Sequence, residues 1–156
     1  MVGYVAQQPL SELPELEADV PMLPHLKLAT QDWGRMLWVG GAGTFTPLHR
    51  DPHHNLFSQL VGRKRVHLFP PACAAHLHLH AGGPLQNTSR IGSEEPFLQA
   101  QSDGAETELW DIEQALSHPD AKHVVLEPAD VLFIPKKWLH CVAGLDDSAS
   151  VNAWFH

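Results

Sequence analysis

The sequence predicts a mainly β chain, a small barrel of short strands with one short surface helix. Three observations carry that prediction. Short apolar runs follow one another with turn signals between them, the pattern of a sandwich or barrel. Prolines and glycines are frequent, 13 and 11 of 156 residues, which favours many turns over long helices. Only one segment shows helical spacing.

Taken in order, residues 1–34 ("…PLSELPELEADVPMLPHL…") repeat proline and acidic residues and are expected to be an extended covering segment. From Arg35 the texture changes, so residues 35–156 are expected to form the barrel core. "RMLWVGGAG" is a strand ending in a glycine turn, and "NLFSQLVG" is a second. "KRVHLFPP" is stopped by two prolines, and "HVVLEPAD" ends in a proline turn. "VLFIP", "WLHCVAG" and "SASVNAWFH" complete the strands. Residues 71–105 are expected to be loop, including "HLHLHAGGPLQNTS". In "TELWDIEQALSHP" Leu109, Ile112 and Leu116 fall at helical spacing with Pro119 just past the end, which predicts the helix.

Composition narrows the function classes. The apolar share of 44% is that of a globular chain, and a net charge of −8 argues against direct nucleic-acid binding. Two cysteines, Cys73 and Cys141, suit neither a disulfide framework nor a zinc knuckle, so a reducing compartment is expected. "MVGYVAQQPL" lacks the basic start and apolar core of a secretory signal. No apolar run approaches the roughly 20 residues that cross a bilayer. The expectation is an intracellular protein of the nucleus or cytoplasm, with no membrane partner.

The chemistry concentrates in "TPLHRDPHHNLFSQLVGRKRVHLF". In an extended "TPLHRD", His49 and Asp51 point to the same face, because side chains alternate along a strand. They offer one nitrogen and one oxygen donor to a divalent metal. A third donor is needed, and His140 in "WLHCVAG" is the candidate, since it follows a turn among large apolar residues. Two histidines and a carboxylate make the facial triad that leaves positions open on Fe(II), although zinc takes the same donors. By itself His-x-Asp is a weak signal among 12 histidines.

Its neighbours strengthen it. Lys64, Val66 and Leu68 share one face of a strand, so Lys64 lies in the apolar row. A buried ammonium is costly unless an anion meets it. The alternative is a lysine at a strand end reaching to water. An inward lysine near a metal suits a dicarboxylate, with the metal at one end and the cation at the other. Asn55 can add a neutral hydrogen bond.

Together "LHRDPHHNLFSQLVGRKRVHLFPP", "LEPADVLFIPKKWLHCV" and "SVNAWF" resemble the JmjC oxygenases that use Fe(II) and 2-oxoglutarate. Within that family they are most similar to the small JmjC hydroxylases of protein side chains, including the arginyl-hydroxylase type. The likeness runs from about Tyr4 to the C-terminus, with the three motifs in the family's order. It implies a double-stranded β-helix, a cupin-like barrel. It implies His49, Asp51 and His140 as iron ligands and catalytic centre, and Lys64 as partner of the distal carboxylate of 2-oxoglutarate. Asn55, Thr46, Asn152 and Tyr4 would line the cosubstrate pocket. Trp38 and Trp154 would border the substrate, with core packing as the alternative. Thr46 and His49 have opposite strand parity, so only the resemblance argues for Thr46, unless Pro47 breaks the pleat. The family's members carry further residues ahead of the matching tyrosine, so residues 1–34 are expected to belong to a truncated JmjC domain.

The implied reaction consumes O2 and 2-oxoglutarate, releases succinate and CO2, and hydroxylates a side chain of a protein or peptide substrate. Two other readings stand beside it: N-methyl-lysine demethylation by the same chemistry, and a non-catalytic module that keeps metal or ligand without turnover. Other clusters are expected to be bystanders. His76, His78 and His80 alternate but lie in a loop, and Pro52 should turn His53 and His54 away from the site. Arg63, Lys64 and Arg65 are split by alternation, and Lys136 and Lys137 form a solvated turn.

Overall fold

The computed structural model describes residues 3–20, 22–100 and 109–156. Among them nine strands form two antiparallel sheets that face each other across a cavity. The larger sheet runs β1 (Tyr4–Pro9), β2 (Asp32–Gly40), β9 (Ser148–Phe155), β4 (His54–Val61), β7 (Val131–Ile134). The smaller runs β3 (Phe45–Arg50), β8 (Leu139–Gly144), β5 (Lys64–Phe69), β6 (Lys122–Leu126). The expected strand runs all appear, and β1 and β3 are added to them. The division at residue 34 falls inside β2, and β1 pairs along that strand from Tyr4↔Gly40 to Pro9↔Met36. The N-terminal stretch is therefore both an edge strand and a cover.

Alternation separates the faces. Phe57 of β4, Val66 and Leu68 of β5, and Val142 of β8 meet Ile134 and Leu126 between the sheets. The outer face of the larger sheet is sealed by the N-terminal stretch. Leu10 packs on Leu37 and Val151, and Leu26 packs on Leu56 and Ala153. Each such leucine removes apolar surface worth about 1.5–3 kcal/mol.

The outer face of the smaller sheet is covered by residues between β5 and β6. Phe69, Leu139 and Cys141 of the sheet pack against Cys73, Leu77, Phe97, Ile112 and Ala115. The helix count exceeds the single one expected. Three short α-helices occur among the described residues, α1 (Pro14–Asp19), α2 (Glu95–Gln99) and α3 (Trp110–Leu116), with three 3-10 segments. α1 and α2 are under two turns long, too short to show a 3.6-residue period, and only a proline in the first turn marks them. α3 matches the expected helix, but Ile112 and Ala115 are buried, so it belongs to the core as much as to the surface. The first residues of the stretch that predicted it lie outside the described residues.

One irregularity decides the site. Thr46 faces Val142 and His49 faces His140, so β3 advances three residues while β8 advances two. That extra residue is a bulge over Pro47 and Leu48. It resolves the parity conflict: Thr46 and His49 both face the cavity, while Leu48 is fully buried in the outer cluster.

Candidate metal centre

β3 ends at Arg50, and Asp51 follows directly, held by a hydrogen bond from Lys137 N–H to its backbone carbonyl at 2.8 Å. β8 runs beside β3 and sets His140 directly opposite His49. The result is a cluster in which one ligand atom each from His49, Asp51 and His140 lies within 4.8 Å of the others. His49 Nε2 is 3.7 Å from Asp51 Oδ1, and His140 Nε2 is 3.7 Å from Asp51 Oδ2.

Both imidazoles are oriented for coordination by the same device. His49 Nδ1 lies 2.8 Å from the Pro47 carbonyl, and His140 Nδ1 lies 3.2 Å from the Trp138 carbonyl. In each case the ring N–H donates to the carbonyl two residues earlier, which leaves the Nε2 lone pair facing the cluster. Burial, aided by the nearby His49, holds His140 well below the usual imidazole range, against the pull of Asp51. A neutral imidazole is the form a metal needs. Trp154 Nε1 donates to Asp51 Oδ2 at 2.9 Å and fixes the carboxylate. The donor set fits a divalent metal of the iron or zinc type, with one open side.

The open side is a cavity lined by Tyr4, Trp38, Thr46, His49, Asp51, Asn55, Phe57, Lys64, His140, Val142, Asn152 and Trp154. Every site residue expected from the sequence lies on this one wall. Phe57 and Val142 are its additional apolar members, legible in the sequence only as inward positions of their strands. Lys64 is 2% exposed and has no ion pair among the described residues. Burial alone lowers its pKa from 10.5 to about 8. Its ammonium lies 5.6 Å from the centre of the Phe57 ring. A buried cation with no anion of its own fits a ligand that brings one.

The rest of the wall is polar and connected. Tyr4 Oη and Thr46 Oγ1 are 2.7 Å apart. Trp38 Nε1 donates to Asn152 Oδ1 at 2.6 Å, and Asn152 Nδ2 donates to Asn55 Oδ1 at 3.1 Å. Both tryptophans line the cavity, and each has its N–H engaged by a neighbour.

The other clusters lie elsewhere. His76 and His78 sit 3.2 and 3.8 Å from the carboxylate of Asp111 on the surface. His53 packs against Trp33 at 3.8 Å between ring centres, and His54 Nδ1 accepts from Lys136 N–H at 3.2 Å. Arg63 pairs with Asp146 at the surface, while Arg65 reaches Glu94 on the outer face. Lys136 and Lys137 are exposed in a turn.

Comparison with known proteins agrees with this geometry. The family profile described as "Cupin-like domain" matches residues 2–156. The chain is 35% identical to "Lysine-specific demethylase 8" of Danio rerio, over 99% of this chain and 36% of that protein. It is 32% identical to "Lysine-specific demethylase JMJ30" of Arabidopsis thaliana, over 97% of this chain and 33% of the relative. It is 30% identical to "Jumonji C domain-containing protein 5" of Drosophila melanogaster, over 99% and 37%. The chain thus spans about a third of the length of these curated relatives.

Proposed function

The chain belongs to the cupin-like JmjC family of Fe(II)- and 2-oxoglutarate-dependent oxygenases, and from that premise we propose that it hydroxylates a side chain of another protein, arginine being one candidate. The observation that carries this reading is the pairing of two features on one cavity: a facial His-Asp-His cluster and a buried ammonium with no anion of its own.

His49, Asp51 and His140 would hold the iron, and Lys64 would take the far carboxylate of 2-oxoglutarate, with Asn55, Thr46, Tyr4 and Asn152 along the wall. Bound there, iron and 2-oxoglutarate supply oxidative decarboxylation to succinate and CO2 and the insertion of one atom of O2 into a C–H bond. The chain's own contribution is positional. The carbonyls of Pro47 and Trp138 keep both Nε2 atoms on the metal side, and the Trp154 indole holds the Asp51 carboxylate. Phe57 and Val142 keep the inner wall apolar, which strengthens the attraction between Lys64 and a carboxylate. Trp38 and Trp154 offer flat surfaces at which a substrate side chain can rest.

Demethylation of N-methyl-lysine is the second reading, favoured by the names of the relatives from Danio rerio and Arabidopsis thaliana. Anaerobic titration with Fe(II) and 2-oxoglutarate, followed by oxygen, tests the shared chemistry; succinate release is the expected result. Binding without succinate leaves a non-catalytic module. Mass spectrometry of incubated peptides separates the two enzyme readings, since hydroxylation adds oxygen and demethylation removes methyl groups.

A further inference from the structure

A buried asparagine is ambiguous toward a charged ligand, because its amide can present either an oxygen or an NH2 group. In this cavity one indole removes the ambiguity. Trp38 Nε1 lies 2.6 Å from the Asn152 amide. An indole N–H only donates, so the group it meets has to be oxygen. The Asn152 NH2 is thereby turned toward Asn55, and it donates to Asn55 Oδ1 at 3.1 Å. With its oxygen engaged, Asn55 has its NH2 left over. Asn55 Nδ2 has no hydrogen-bond partner among the described residues, yet the residue is 4% exposed and lines the cavity.

The three side chains stand on the adjacent strands β2, β9 and β4. Reversing both amides would set the Asn152 NH2 against the indole N–H, leaving two buried donors facing each other. It would also present the Asn55 oxygen to the cavity that holds Lys64.

The geometry points to Trp38 as a positioning residue that sets the polarity of two asparagines in series, so that this wall offers an anion N–H donors and no carbonyl oxygen. The inference rests on the reading of the cavity as the 2-oxoglutarate pocket and deepens it: selection of a carboxylate comes from an indole two strands away from Asn55 as well as from the ammonium. A tryptophan that served only as packing or as a substrate border would have no effect on amide orientation.

Two substitutions test it. Trp38→Phe keeps an aromatic ring and removes the donor, adding no charge. Asn152→Asp accepts from Trp38 with one oxygen and turns the other to Asn55, whose NH2 must swing to meet it. The full chain is loaded with Zn(II), which takes the same donors without redox chemistry. 2-Oxoglutarate binding is measured by calorimetry, and the asparagine side-chain amides are followed by 15N NMR.

In the wild type the Asn152 NH2 is expected to be protected from exchange, and the Asn55 NH2 to be unprotected and to shift on adding 2-oxoglutarate. Asn152→Asp should protect the Asn55 NH2 and weaken 2-oxoglutarate about tenfold or more, the scale of a lost hydrogen bond to a charged group. Trp38→Phe should weaken it about threefold or more, with Zn(II) affinity unchanged in both. Trp38→Phe binding as tightly as wild type, or an Asn55 NH2 already protected in the wild type, overturns the relay alone. A Zn(II)-loaded wild type that ignores 2-oxoglutarate overturns the cosubstrate reading and the selectivity claim with it; the exchange pattern of the free protein then still reports the amide orientation.

Discussion

Lys64 is a charge placed inside the barrel in advance of any partner, and its energetics follow from that. Its pKa falls from 10.5 to about 8, through burial alone. Between those two pH values the unfolded chain holds a proton that the folded chain has released. Folding stability therefore rises with pH across that window, and below about pH 8 the folded chain carries the full cost of the buried ammonium. The cost is on the order of 3 kcal/mol. Lys64→Met is expected to raise the Tm at pH 7 by several degrees while weakening 2-oxoglutarate at least about a hundredfold, the scale of a lost charge pair. Thermal melts and anaerobic titrations check the two halves separately. Asp51 supplies the hard oxygen donor of the cluster, beside two imidazoles. Asp51→Ala should abolish binding of Mn(II) by calorimetry, and with it the rise in Tm that the metal gives the wild type.

At the scale of elements, the turn that carries the chain from β4 in the larger sheet to β5 in the smaller one leads into Lys64, which β5 places across from Gly144 of β8. Gly62 in that turn has φ +66, and a Cβ there would stand 2.2 Å from the Asp147 carbonyl oxygen. The obstacle is backbone, which no rotamer change relieves, and the φ is strained for any L side chain. Gly62→Ala is expected to cost about 2 kcal/mol or more and lower the Tm by about 5 °C, read by thermal melts. The bulge in β3 is the other element that matters. Without its extra residue Thr46 and His49 would lie on opposite faces, and the Tyr4–Thr46 contact would be separated from the metal cluster.

The whole molecule is a barrel clothed on both sides by segments that look irregular in sequence. The N-terminal stretch covers one sheet, and the residues between β5 and β6 cover the other. Cys73 lies in the second cover and Cys141 on β8 beneath it, both buried, with thiol pKa values pushed up by burial. Both thiols should resist a water-soluble disulfide reagent in the native state and react fully once the chain is denatured. Rapid labelling of the native protein would mean that this cover opens readily.

The mainly β class, the strand runs and the inward row of Lys64, Val66 and Leu68 were determined by local pattern, because alternation and turn residues act over a few positions. The same alternation put His49 and Asp51 on one face. His140 lies some ninety residues further on, and no periodicity reaches that far; its place after a turn among large apolar residues made it the candidate, the family resemblance supported it, and the pairing of β3 with β8 brought it opposite His49. Only the tertiary structure decided the bulge that admits Thr46, the orientation of both imidazoles by backbone carbonyls, and the hydrogen-bond chain from Trp38 to Asn55. The hydrogen-bond chain joins three strands, the bulge is a local break in the pleat, and each imidazole's bond to a carbonyl two residues earlier is a choice of rotamer that no alternation of residue types encodes. The short helices escaped for a related reason: their residues bury against a sheet assembled from elsewhere in the chain, so little of their stability is written in their own spacing.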